Sequence, residues 1–238
     1  MKINCSECKN SNCFVKNLNS EKKLSELKSV YKLKAGQFIF KENNPFDGIY
    51  IIYTGKVKVF SSGYKDKTQI IRLANDGLIL GHRSVGKKNY SISAKTLDET
   101  TVCFIDNDVF YETLKSDPEL TYKLMLFFTE ELRNAEKRMK SLAQMTVREK
   151  VAEAILLASK TFGIKTEDPN IIVVDALLNR NDIAEIAGIR VEQLIRELTE
   201  LKKEKIISIN SNKHIVINDV KSLNTLISPY FIESSDFQ

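Results

Sequence analysis

Apolar positions in the first half of the chain fall in short runs, whereas in the second half they recur every three or four residues. Leu24, Leu27 and Val30 share one helical face, so a short helix is predicted over residues 19–30. From 31 to 106 the pattern turns to β. Gln37–Phe40, Ile49–Tyr53, Val57–Phe60, Gln69–Leu73 and Val102–Ile105 are short apolar runs. Turn signals at Asn43-Asn44-Pro45, Thr54-Gly55, Ser62-Gly63, Asn75-Asp76-Gly77 and Gly86 separate them. Short strands at regular spacing predict a sandwich, jelly roll or barrel, and no wound α/β unit is visible.

At Ser116-Asp117-Pro118-Glu119 the period becomes helical. Ser116 or Asp117 suits a cap and Pro118 the first turn. Leu124, Phe128, Leu132, Ala135, Met139 and Leu142 then form one narrow stripe, with Glu131, Arg133, Glu136, Lys137 and Lys140 off it. Such a stripe suits a dimer seam, or a helix packed on its own domain. A second helix is predicted near Val147–Thr161 and a short strand at Ile171–Val174. Next come two helical segments around Gly188, with Ile183, Ala184, Leu194 and Leu198 on the shared face. Ile206–Ser208 and His214–Ile217 alternate as a hairpin around Asn210-Ser211-Asn212. Two helices at a tight turn followed by a hairpin read as a winged helix; the helices alone would also suit a plain helical hairpin.

Composition changes this picture little. The 238 residues are 42% hydrophobic and 28% charged, enough for a packed core of one large or two small domains. No apolar run is long enough to span a membrane, and the N-terminus lacks a signal-peptide apolar region, so a cytoplasmic protein is expected. The net charge is +5, but residues 1–145 carry +7 and residues 146–238 carry −2. Charge therefore gives no argument for nucleic-acid binding by the C-terminal third. No Ser-His-Asp set, catalytic carboxylate pair or phosphate-cradling glycine loop is found, so no enzyme is expected.

The cysteines change the picture more. Cys5, Cys8 and Cys13 are spaced C-x2-C-x4-C, and the fourth, Cys103, lies in a predicted strand. Without a secretory signal, this spacing suggests metal or redox chemistry. Four thiolates suit either a tetrahedral zinc or an iron–sulfur cluster. Incidental thiols on a terminal segment, with Cys103 as a core residue, are the plainer alternative.

A β domain, a long helix and a winged helix, in that order, resemble the Crp/Fnr family of transcription regulators. The likeness is carried by Leu33-Lys34-Ala35-Gly36-Gln37, by Asp47-Gly48-Ile49-Tyr50-Ile51-Ile52-Tyr53-Thr54-Gly55-Lys56-Val57, by Arg180-Asn181-Asp182-Ile183-Ala184 and by Val191-Glu192-Gln193-Leu194-Ile195-Arg196. The four cysteines match the layout of the Fnr-like branch, which implies a 4Fe-4S cluster held by Cys5, Cys8, Cys13 and Cys103. The Cys8-x4-Cys13 gap is one residue shorter than is usual there. The cyclic-nucleotide branch fits worse. Leu78 stands where that branch has a ribose-gripping Glu, and the Arg that pairs with its phosphate is missing near Lys88-Asn89-Tyr90. Arg83 does not have the right spacing to replace it.

The resemblance implies an α+β fold in four parts: a cysteine-rich segment (1–18), a cyclic-nucleotide-binding-like β-sandwich or jelly roll (19–115), a dimerisation helix (116–144) and a winged helix-turn-helix (145–238). It implies a homodimer on palindromic double-stranded DNA, with RNA polymerase as a further partner and no membrane. Glu192 and Arg196 take the base-reading positions, with Gln193 and Ile195 beside them; Arg forks onto guanine and Glu accepts from cytosine. Arg190, Lys202, Lys203 and Lys205 are the phosphate-contact candidates. The dimer seam falls to Leu124, Phe128, Leu132, Ala135, Met139 and Leu142. Ala135 stands where the Fnr type has an acidic residue that weakens the cluster-free dimer. The expected function is sensing of oxygen, nitric oxide or redox state. The alternative is a regulator of the same family answering a small organic ligand, or a gas at a haem held by His82, with the thiols on zinc or nothing.

Overall fold

A computed structural model describes residues 3–8, 10–63, 67–175 and 178–230; Met1, Lys2 and the last eight residues of the 145–238 stretch lie outside it. Contacts divide the chain into two compact units, residues 1–134 and 135–238. The division falls within one long helix.

The first unit opens with helix α1, Glu21–Leu27. It stops three residues before the predicted end because Val30 is drawn into a strand. That strand, β1 (Ser29–Leu33), is followed by β2 (Phe38–Phe40), β3 (Gly48–Thr54), β4 (Val57–Ser62), β5 (Thr68–Ala74), β6 (Ile79–Leu80), β7 (Ser93–Thr96) and β8 (Thr100–Asp106). They form two four-stranded sheets, β1-β8-β3-β6 and β2-β7-β4-β5. Every recorded pairing in these sheets is antiparallel, and the order is that of a jelly roll. Ile49, Ile51 and Val102 of one sheet and Val57, Val59 and Ala94 of the other share a single core.

Helix α2 (Asn107–Ser116) follows β8 directly, capped by the Asp106 carboxylate, which accepts from the Asp108 N–H at 2.8 Å. Helix α3 spans Pro118–Gln144. Asp117 caps it by accepting from the Glu119 and Leu120 N–H groups, and also accepts from the Ser20 N–H at 2.9 Å. Leu120 and Leu124 are buried in the sheet core. Leu124 is thus an inward residue here, and Met125, Phe128, Leu132 and Met139 are the exposed apolar side chains of α3 at that spacing.

One buried charge cluster fixes the rotation of α3 within this unit. The Glu131 carboxylate lies 2.9 Å from Arg83, 3.6 Å from Arg72 and 3.8 Å from His82. Burial pushes the Glu131 carboxyl up, but His82, Arg72 and Arg83 more than offset this and hold it at about 2.

The second unit holds α4 (Val147–Phe162), β9 (Gly163–Lys165), β10 (Ile172–Val174), α5 (Arg180–Ala187), α6 (Val191–Lys203), β11 (Ile207–Ile209), β12 (Ile215–Ile217) and α7 (Val220–Ile227). Its sheet runs β11-β12-β10-β9. Thr146 and Glu149 form a reciprocal cap at the start of α4. Arg138 donates to the Glu153 carboxylate and to the Ile186 carbonyl, joining the end of α3 to α4 and α5. Among the described residues, no helix is long and apolar enough to cross a membrane.

Glu131→Gln is expected to destabilise the first unit by about 3 kcal/mol at pH 7. The folded-state value lies below the ordinary carboxylate value of 4.5. The stabilisation is therefore complete above that value and fades as the pH falls towards about 2. Urea unfolding of both proteins at a series of pH values checks this: the gap should close in acid, and a pH-independent gap would contradict it.

Candidate functional site

The terminal segment is held to the jelly roll by apolar packing. Phe14, Val15, Leu18 and Leu24 all enter the core. Phe14 meets Phe127 of α3 edge-on, ring centroids 5.6 Å apart, and the Lys123 ammonium lies over its face. Gly77 lets this segment come close. A Cβ there would meet the Asn12 carbonyl oxygen at 2.7 Å, and its φ is +86°.

This docking brings the four cysteines to one pocket. Cys5, Cys8, Cys13 and Cys103 line it, with Val15, Leu24, Ile51, Ile52 and Ile105 as apolar wall and Lys16 and Lys28 as its cations. Cys103 sits in β8 between Val30 of β1 and Ile51 of β3. All four thiols are free; Cys5 and Cys103 are buried. Short turns shape the segment: the Cys8 N–H donates to the Cys5 carbonyl, and the Cys13 N–H to the Asn10 carbonyl. The Cys5 N–H donates to Ser25 Oγ, and Lys16 Nζ donates to the Cys8 carbonyl at 2.7 Å. Lys28 Nζ donates to Cys5 Sγ at 2.7 Å.

Burial pushes the Cys103 thiol up to about 11; Lys28 pulls it down, and the other three cysteines push it up. Burial likewise raises Cys13, with Cys8 and Cys5 adding to it. Each of these thiols feels the other three or two, so a set of thiolates here needs a positive centre. Among the described residues, no three His, Cys, Asp or Glu side chains converge closely enough to hold one metal ion. The thiols line the walls of a shared pocket instead. The sequence reading missed Lys28, Lys16, Asn10 and Ser25, because nothing in their spacing links them to the cysteines.

The nucleotide-related positions take other roles. Leu78 is half-buried against the core. Arg83 is committed to Glu131. His82 is buried between Phe127 and Phe128, at 5.0 and 5.6 Å between ring centroids. Burial lowers its basicity.

In the second unit the Asn179 and Asp182 side chains each accept the other's backbone N–H, starting α5. Gly188 ends α5 in the left-handed region, at φ 64°. Ile183, Ala184, Leu194 and Leu198 are buried between α5 and α6. Glu192, Ile195 and Arg196 are exposed together on α6, and Arg190, Lys202, Lys203 and Lys205 are exposed at its two ends. Gln193 is half-buried, and its Oε1 accepts the Arg190 N–H at 3.2 Å, so its carbonyl serves the helix start.

Comparison with known proteins decides the family. Residues 30–117 match the cyclic nucleotide-binding domain, and residues 149–226 match the Crp-like helix-turn-helix domain. The chain belongs to the Crp/Fnr family. Its curated relatives place it in the Fnr-like branch. One is the anaerobic regulatory protein of Pasteurella multocida (strain Pm70), 24% identical over 225 residues, covering 93% of this chain and 81% of that protein. Another is the transcriptional activator protein Anr of Pseudomonas protegens, 24% identical over 189 residues, 79% of this chain and 77% of that one. Among solved structures, FixK2 from Bradyrhizobium japonicum shares the fold with a TM-score of 0.73 at 22% identity, over 84% of this chain and 96% of that one. Membership in the Crp/Fnr family makes the chain a DNA-binding transcription regulator rather than an enzyme, and implies that it forms dimers.

Gly188→Ala should destabilise the helix-turn-helix by about 1–2 kcal/mol, the strain of a Cβ in the left-handed region. Hydrogen exchange of the α5 and α6 amides reads this directly, and unchanged protection would contradict it.

Proposed function

We propose that this Crp/Fnr regulator senses oxygen, nitric oxide or redox state through a 4Fe-4S cluster bound by Cys5, Cys8, Cys13 and Cys103. The observation that carries the proposal is the meeting of three thiols from the terminal segment with one from β8 in a single apolar pocket. A pocket lined by four thiols suits a thiolate-bound metal group, and an iron–sulfur cluster is one such group. The relatives named anaerobic regulatory protein and Anr, an activator, lend further support.

A bound cluster supplies an oxidant-sensitive, thiolate-linked iron centre. The chain's own residues supply the coupling. Cys5, Cys8 and Cys13 tie the terminal segment to β8; Phe14 carries that tie to Phe127, and the Ser20 N–H carries it to Asp117 at the start of α3. Loss of the tie relaxes the segment and shifts the population of α3 arrangements. The dimer seam is Phe128, Leu132, Ala135 and Met139, with Met125 at the place first assigned to Leu124 and half-buried Leu142 at its end. Ala135 puts no charge in this seam, so the chain dimerises without iron and the cluster sets how the two DNA-binding units are presented. Such a dimer reads a palindrome with half-sites about one helical turn apart. Arg196 and Glu192 read bases, Ile195 packs on a thymine methyl, and Arg190, Lys202, Lys203 and Lys205 hold phosphates. Gln193 contributes through its amide N–H groups, its carbonyl being used at the helix start. RNA polymerase is the downstream partner.

Protein purified without oxygen should be brown and hold about four irons and as much acid-labile sulfide per chain, and it should bleach in air. Colourless protein that stays iron-free after anaerobic reconstitution would overturn the proposal. On DNA, Arg196→Ala should cost about 1–3 kcal/mol and relax one base position, whereas Lys203→Ala should weaken all sequences alike. Binding-site selection with each variant separates the two; an unchanged base preference in Arg196→Ala would contradict the assignment.

A further inference from the structure

Two lysines line the thiol pocket, and they do different things. Lys16 spends its ammonium on the Cys8 carbonyl. Lys28 spends its ammonium on a thiol sulfur, Cys5 Sγ, at 2.7 Å. Its backbone is fixed on both sides. The Lys28 N–H donates to the Leu24 carbonyl at the end of α1, and the next residue, Ser29, pairs with Phe104 of β8. The half-buried side chain therefore reaches the pocket from a rigid base.

The surroundings make this charge matter. The nearby wall is Val15, Leu24, Ile51, Ile52 and Ile105, a medium that screens charge weakly. Four ligating thiolates leave a cluster with net negative charge, which such a wall disfavours unless a cation compensates it. Hydrogen-bond donors to ligating sulfurs are a recognised means of tuning metal retention.

We infer that Lys28 is a positioning residue for the iron–sulfur group: its ammonium holds Cys5 Sγ and neutralises part of the thiolate charge, and so slows iron loss. This rests on the cluster proposed above. Nothing in the cysteine spacing predicts it, since Lys28 lies 23 positions after Cys5.

The test uses the full-length chain, reconstituted without oxygen, in three forms: wild type, Lys28→Met and Lys28→Arg. Iron release to a chelator is timed anaerobically, and the thiolate-to-iron absorption band is recorded. Lys28→Met keeps most of the stem's packing and removes the charge. It should release iron roughly 10-fold faster, with the band moved to longer wavelength because the Cys5 thiolate loses its donor. Lys28→Arg should restore both the wild-type rate and the band. A role in packing alone would leave the band in place in all three. If wild type and Lys28→Met share one rate and one band, the inference fails while the cluster reading stands. If Lys28→Arg behaves as Lys28→Met, the charge is not the cause and the inference also fails. A wild-type chain that takes up no iron overturns both.

Discussion

The docking of residues 13–18 on the jelly roll is the interaction on which the first unit's chemistry depends. Phe14, Val15 and Leu18 bury their side chains in the core formed by the sheets and α3. Burial of a large apolar side chain is worth about 2 kcal/mol. These three side chains act together with the segment's own backbone turns and the Cys5 N–H bond to Ser25 Oγ to hold it in place. Once it is fixed, Cys13 and the turns that hold Cys5 and Cys8 have a set position over β8. The thiol pocket is thus a product of apolar packing, and its charged parts are set into it afterwards.

On the proposed reading, the same packing carries a change at the thiols to α3. Phe127 receives Phe14, while its neighbour Phe128 is exposed on the proposed seam. Glu131, buried against Arg72 and Arg83, precedes Leu132, the next exposed residue of the proposed seam. Aromatic contact and ion cluster together set the rotation of the helix, and that rotation decides which apolar side chains a second copy meets. On the proposed reading, the cluster acts on this rotation through the terminal segment. The exposed face of α6, proposed above to read DNA, is fixed separately, by the Asn179–Asp182 cap, the Gly188 turn and the buried Leu194 and Leu198.

Much of this was legible in the sequence where a strong local signal coincided with the tertiary environment. The long helix from Pro118, the turn at Gly188 and the strands at Ile49–Tyr53 and Val57–Phe60 are such places. Helix α2 was missed because Val109, Phe110 and Tyr111 carry β-like side chains, and only the Asp106 cap and the burial of Phe110 favour a helix. β7 was missed because Ser-Ala-Lys-Thr has too few apolar residues to register, although its neighbours β2 and β4 impose the strand. Leu124 was assigned to the seam because spacing cannot tell the inward edge of a stripe from its outward edge. The cysteine spacing exposed the thiols, but Lys28 and the Glu131 cluster join residues far apart in sequence and have no local signature.

In the proposed mechanism, occupancy of the thiol pocket changes how the regulator engages DNA. The most direct measurement is the affinity of one anaerobic preparation for a selected palindromic site, before and after its iron is removed by a chelator at constant salt. A change of about 5-fold or more is expected, the range of ordinary coupling between two sites. Equal affinity in the two states, with iron content shown to differ, would contradict it.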